Sequence, residues 1–142
     1  MIEIKKFGFE NKKLREQAFS IRHEVFVIGQ NCPKELEYEN EEICTHFLVF
    51  DNQQAVATAR HRKTEKGYKL ERFAVLENKR GKGYGNHVLF AILDDLKDYK
   101  GLIYMHAQIQ VLPFYEKLGF VKEGDIFEEA GIMHYKMVLN KK

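Results

Sequence analysis

Arg80-Gly81-Lys82-Gly83-Tyr84-Gly85 joins a segment of strand-like alternation, 68–75, to one of helical periodicity, 84–99. In the first, Leu70, Arg72 and Ala74 share one parity and Glu71, Phe73 and Val75 the other. In the second, Val88, Leu89, Ile92, Leu93 and Leu96 fall on one helical face. The start of a helix leaves backbone N–H groups unpaired and carries a partial positive charge. Phosphate oxygens satisfy both. Glycines at 81, 83 and 85 let such a group approach the main chain, and Arg80 and Lys82 add formal charge for a pyrophosphate. No Gly-Lys-Ser/Thr closes the loop, so it is not a Walker A loop, and its glycine spacing does not fit the dinucleotide-binding fingerprint. Taken alone, the segment reads either as an anion-binding turn or as a strand-to-helix loop with two solvated cations.

On the N-terminal side, Ile2, Ile4 and Phe7 punctuate a charged opening strand. Leu14, Ala18, Ile21 and Val25, with Phe19 and Phe26, predict an amphipathic helix over 11–27. Cys32-Pro33 ends it, and 34–42 is strongly acidic, a short helix or an exposed loop. Segments 46–51 and 54–62 read as a hairpin about Asp51-Asn52. On the C-terminal side, 102–107 reads as a strand and 111–118 as a short helix stopped by Gly119. Strands at 120–122 and 132–139 flank an expected acidic loop at 123–131. This order predicts an α/β fold, a mixed sheet with helices packed on it, as a single domain over 1–142.

The bulk numbers agree. A chain of 142 residues can bury a core without metal or disulfide support. Hydrophobic residues at 44% and charged residues at 31% are ordinary for a soluble domain. A net charge of +2 is too small to call for nucleic acid or an anionic membrane as partner. The two cysteines, Cys32 and Cys44, read as reduced thiols, and no cysteine–histidine spacing suggests a metal site. The opening residues lack an apolar signal core and no run reaches membrane-spanning length, so the expected location is the cytoplasm.

Two motifs carry a family resemblance. Arg80-x-x-Gly83-x-Gly85, preceded by Ala74-Val75, resembles the acetyl-CoA loop of the GNAT N-acetyltransferase superfamily. Pro113-Phe114-Tyr115-Glu116-Lys117-Leu118-Gly119-Phe120 resembles that family's FYEKxGF helix and strand, and the separation of the two motifs fits. Finer features are similar to its ElaA/YjcF-like bacterial subgroup: Arg22-His23-Glu24-Val25-Phe26-Val27, Leu70-Glu71-Arg72, Ala107-Gln108 and Ala130-Gly131-Ile132-Met133-His134. Gly29-Gln30 and Met133 depart from that subgroup, which usually has Glu-Gln and Pro there, and Gln108 stands where many members of the family have Asn.

The resemblance implies a mostly antiparallel central sheet, splayed between the 68–75 and 102–107 strands, with flanking helices. It implies acetyl-CoA as cosubstrate and a primary amine, of a small molecule or a protein, as acceptor. The main chain of Phe73, Ala74 and Val75 would hold the pantetheine arm. Arg80, Gly81, Lys82, Gly83, Tyr84 and Gly85 would hold the pyrophosphate, with Asn86 extending the contact and Gln108 bonding the arm or capping the next helix. A homodimer is compatible with the resemblance, and a non-catalytic acyl-CoA-binding module is the alternative function.

Three residues stand out for chemistry. Tyr115 is either the proton donor to the leaving sulfur, as the resemblance implies, or a core aromatic. Glu71 is either a general base, if burial raises its pKa, or the partner of a nearby arginine. His134 either lines the acceptor site and acts as base or is a hydrogen-bonded structural histidine. His61 and His106 are weaker candidates, and Arg22 and Arg72 read more readily as solvated or ion-paired groups than as acceptor ligands.

Overall fold

The computed structural model describes residues 1–28, 41–129 and 131–140. Cys32, Gly29-Gln30, most of the acidic stretch 34–42 and Ala130 lie outside the described residues. Among the described residues seven strands form one sheet: β1 (Ile2–Phe7), β2 (Thr45–Asp51), β3 (Gln54–Thr64), β4 (Gly67–Val75), β5 (Ile103–Gln108), β6 (Phe120–Glu129) and β7 (Ile132–Leu139). Their order is β1-β2-β3-β4-β5-β7-β6. The α-helices of the described residues are α1 (Lys12–Arg22), α2 (Tyr84–Asp95) and α3 (Leu112–Glu116). Every neighbouring pair is antiparallel except β4 and β5, which the crossover through α2 makes parallel.

Local chemistry sets these elements. The β2–β3 hairpin turns through Asn52 and Gln53, both at positive φ, as a twisted two-residue connection requires. Asn11 caps α1 by accepting the Leu14 N–H at 3.2 Å. The single helix expected over 11–27 is corrected: beyond Arg22 the backbone widens into a π-helical turn, His23–Ile28, that buries Val25 and Phe26. The apolar face of α2, with Val88, Leu89 and Ile92 buried, packs on one face of the sheet. Ala18, Ile21, Val25 and Phe26 pack on the other against Phe7, Leu48, Phe50 and Ala74.

The expected acidic loop at 123–131 is also corrected. Its first seven residues belong to β6, which pairs with β7 on both sides of a register shift between Glu123 and Phe127. This is an edge strand whose residues from Val121 to Ile126 are exposed, so charge there is no argument against a strand.

Two irregularities open the sheet. Thr58 pairs with Ala74 and Arg60 with Glu71, so Ala59 faces both Arg72 and Phe73. This is a bulge in β4, with Arg72 at φ 59°. It breaks the simple parity read from the sequence: Leu70 packs toward α2, and so do Phe73 and Val75, while Ala74 turns toward α1. The second irregularity is a divergence. β4 and β5 pair only at Tyr68–Leu70 with Ile103–Met105. Their closed end is tight, because a Cβ on Gly67 would stand 2.2 Å from the Leu102 carbonyl oxygen. Past Leu70, β5 bonds only β7, and 71–75 has no strand partner on its β5 side among the described residues.

Candidate active site

A cavity of about 850 Å³ runs along this split, near the upper end for small-molecule sites. One lip is β4 and the loop after it. Arg80 Nε donates to the Val75 carbonyl at 3.1 Å, folding the loop back on the strand end. Gly83, at φ 85°, is the residue before the first turn of α2, a conformation that favours glycine. The first intrahelical bond runs from the His87 N–H to the Gly83 carbonyl at 3.2 Å. The N–H groups of Tyr84, Gly85 and Asn86 therefore have no acceptor within the helix. A Cβ built on Gly81 or Gly83 would meet nothing within 4 Å, so the space before these donors is open. This fits a diphosphate.

The Tyr84 side chain turns away from that space and donates its hydroxyl hydrogen bond to the Asp51 carboxylate at the end of β2. The bond holds the Asp51 carboxyl below its usual range and pushes the Tyr84 phenol up. Phe73, Ala74, Val75, Arg80, Gly81, Gly83, Tyr84, Gly85, Asn86, Gln108 and Tyr115 all line the cavity, whereas Lys82 is exposed and lies off its lining. Gln108 accepts from Gln110 Nε2 at 2.5 Å.

Tyr115 projects from α3 into the core on the α2 side, 6% exposed. Its ring stands edge-on to Phe73, with centroids 5.6 Å apart, and to Phe114, at 5.1 Å. Burial pushes its phenol well above the ordinary tyrosine range, so it keeps its proton. Its hydroxyl has no hydrogen-bond partner among the described residues.

Glu71 does not have the raised pKa that a base role required. Burial pushes its carboxyl up, but Arg60, Lys69 and Arg62 together hold it below the usual range. Its Oε1 is 2.9 Å from Arg60 Nη2 and 3.0 Å from Arg62 Nε, and its Oε2 is 3.2 Å from Lys69 Nζ. Three cations favour the carboxylate more than partial burial disfavours it.

The other lip is β5 with β7 and β6. His134 pairs in register with Gln108 on one side and Phe127 on the other. Its Nδ1–H donates to the Ile132 carbonyl at 2.7 Å, so in the neutral ring Nε2 carries the lone pair. The Phe127 ring stacks on it, centroids 5.8 Å apart and 21° from parallel. His106 Nδ1 lies 3.0 Å from Glu129 Oε1, and His134 Nε2 lies 4.0 Å from Glu129 Oε2. The His106 hydrogen bond is the chief reason that the Glu129 carboxyl is pushed down to about 2. His106, Glu129 and His134 all line the cavity.

Glu129 escaped the sequence reading because it fell in the supposed loop. The signal available was its parity with Phe127, two residues earlier on the same face of a strand. His61 is on the opposite face, bonded to Asp95 Oδ2 at 2.9 Å, and does not line the cavity. Arg22 is buried over the Phe19 ring and is also outside the lining. Arg72 lines the cavity, with its guanidinium over Phe26. Among the described residues no three His, Cys, Asp or Glu side chains are arranged to ligate a metal, and no helix is long and apolar enough to cross a membrane.

A sheet split beside a helix start that presents unpaired N–H groups defines an acyl-CoA acyltransferase fold. The chain belongs to the acetyltransferase (GNAT) domain family, whose model matches residues 5–141. It is 36% identical over 133 residues to the uncharacterized N-acetyltransferase YjcF of Bacillus subtilis, covering 91% of this chain and 94% of that protein. The crystal structure of Escherichia coli ElaA superposes with a TM-score of 0.87 at 25% identity, over 97% of this chain and 99% of that one. An N-acetyltransferase of Thermoplasma acidophilum, solved in complex with coenzyme A, shares the fold with a TM-score of 0.72 at 14% identity, over 99% of each chain.

Proposed function

We propose that this protein transfers the acetyl group of acetyl-CoA directly to a primary amine. The observation that carries the reading is the split between β4 and β5, with the unpaired N–H groups of α2 at its mouth. Acetyl-CoA supplies the thioester carbonyl. The main-chain donors at 81–86 bind the diphosphate, and the unpaired edge of β4 at Phe73, Ala74 and Val75 bonds the pantetheine arm. The Phe73 N–H, beside the bulge, stabilises the oxyanion.

His134 Nε2 takes the first proton of the acceptor ammonium and frees its lone pair. As the C–N bond forms and the C–S bond breaks, the departing sulfur takes a proton from the Tyr115 hydroxyl. The nitrogen's second proton returns Tyr115 to its starting state, and His134 releases its proton to solvent. Tyr115 lies on the α2 side of the sheet and His134 on the other, so acid and base approach the split from opposite faces. Glu71 is assigned to organise Arg60, Arg62 and Lys69 along the β4 lip, not to act as base.

Titration with acetyl-CoA, followed by amide shifts at 81–85, should show saturable binding. Its absence at ordinary cofactor concentrations would end this reading. A screen of amines read by release of free thiol should then find turnover, whereas binding without release for any amine would mark a non-catalytic acyl-CoA-binding module.

A further inference from the structure

The β5–β7–β6 lip holds two hydrogen-bond acceptors that face each other. His134 Nδ1 is committed to the Ile132 carbonyl, so the neutral ring offers only the Nε2 lone pair. Glu129 Oε1 is committed to His106 Nδ1–H, which leaves Oε2. Nε2 and Oε2 stand 4.0 Å apart, too far for a hydrogen bond between them. Phe127 fixes the plane of the His134 ring by stacking on it. The space between the two atoms therefore suits a donor with two or more N–H bonds. A nitrogen at about 2.8 Å from each atom would see them at roughly a right angle, which two N–H bonds of one ammonium reach with both hydrogen bonds slightly bent.

We propose that Glu129 Oε2 and His134 Nε2 form the seat of the acceptor's ammonium group. This rests on the acetyl-transfer reading above and adds where the amine is held and what selects it. Glu129 binds the charge and His134 accepts one proton: an N–H bond of the ammonium breaks, Nε2–H forms, and the new imidazolium faces the carboxylate. His106 is a positioning residue, since it acts only by holding Glu129. Among the described residues, His106 from β5, Lys69 from β4 and His134 from β7 act on Glu129 and hold its carboxyl ionised. The seat takes a primary alkylammonium ion and rejects the matching alcohol, which lacks both the charge and the second donor.

The test uses the whole chain saturated with coenzyme A and two probes, n-butylammonium and its neutral counterpart n-butanol. Amide shifts at 127–134 should saturate with the ammonium and not with the alcohol. Glu129→Gln should weaken the ammonium response by about tenfold, and Glu129→Asp should restore most of it. With n-butylamine as acceptor, Glu129→Gln should raise the amine KM by about tenfold and leave the acetyl-CoA KM within about twofold. Equal responses to ammonium and alcohol, or an unchanged response in Glu129→Gln, would overturn the seat while shifts at 81–85 with coenzyme A leave the acetyl-transfer reading standing. Loss of those shifts would instead remove the reading beneath it.

Discussion

The two lips of the split are built on different principles. The loop at 81–86 presents its main chain: N–H groups with no acceptor in the helix, a left-handed Gly83, and open space where a side chain would be. The opposite lip presents side chains drawn from three strands, His106 on β5, Glu129 on β6 and His134 on β7. Backbone recognition tolerates almost any side chain that leaves the conformation intact. Side-chain recognition fails with a single atom out of place. A family can therefore keep one lip and vary the other, and on the proposed function the first would set the cofactor and the second the acceptor.

The sharpest way to break this division is Tyr115→Phe, which removes one hydroxyl between the lips. Thiol release should fall by about a hundredfold or more, with acetyl-CoA affinity nearly unchanged. A fall of less than about threefold would reduce Tyr115 to a core aromatic. Next is Glu71→Gln, which leaves Arg60, Arg62 and Lys69 crowded without their shared anion. Urea unfolding should show a loss of about 2–4 kcal/mol, since a carboxylate with 13% side-chain exposure is little screened. The effect has a sign in pH. The folded pKa of Glu71 lies below its unfolded value near 4.5, so its contribution is complete above that value and fades as pH falls through the folded one. The variant should flatten the acid limb of stability there.

Gly83→Val tests the backbone lip. A Cβ there meets nothing within 4 Å, but a β-branched residue at φ 85° is strained. Coenzyme A affinity should drop by about tenfold or more, measured by calorimetry, with Glu129-dependent ammonium binding intact. The smallest effect is expected of Lys82→Ala. Lys82 is exposed and off the cavity, so affinity should change by no more than about threefold. A larger loss would show that the loop relies on side-chain charge and not on its main chain alone.

Legibility in the sequence follows the same line. The glycine turn from Arg80 to Gly85 and the helix start after it could be found because they consist of consecutive residues between a strand and a helix. The β2–β3 hairpin and α2 were readable for the same local reason, although α2 ends at Asp95, short of the expected 99. Glu129 was hidden because it follows a run of exposed, charged edge-strand residues whose composition reads as a loop. The bulge at Arg72 was hidden because alternation continued through it, and only the packing of Leu70, Phe73 and Ala74 reveals the flipped parity.

The order of amino acids by itself determined the element order, the glycine turn and the family, since each depends on neighbours within a few residues or on a motif in series. Folding in three dimensions decided that Glu71 is an ion-paired carboxylate and that His106, Glu129 and His134 share one lip. Both depend on distances across strands, and the electrostatic environment of a carboxylate is set by whatever lies a few ångströms away in space, however far along the chain.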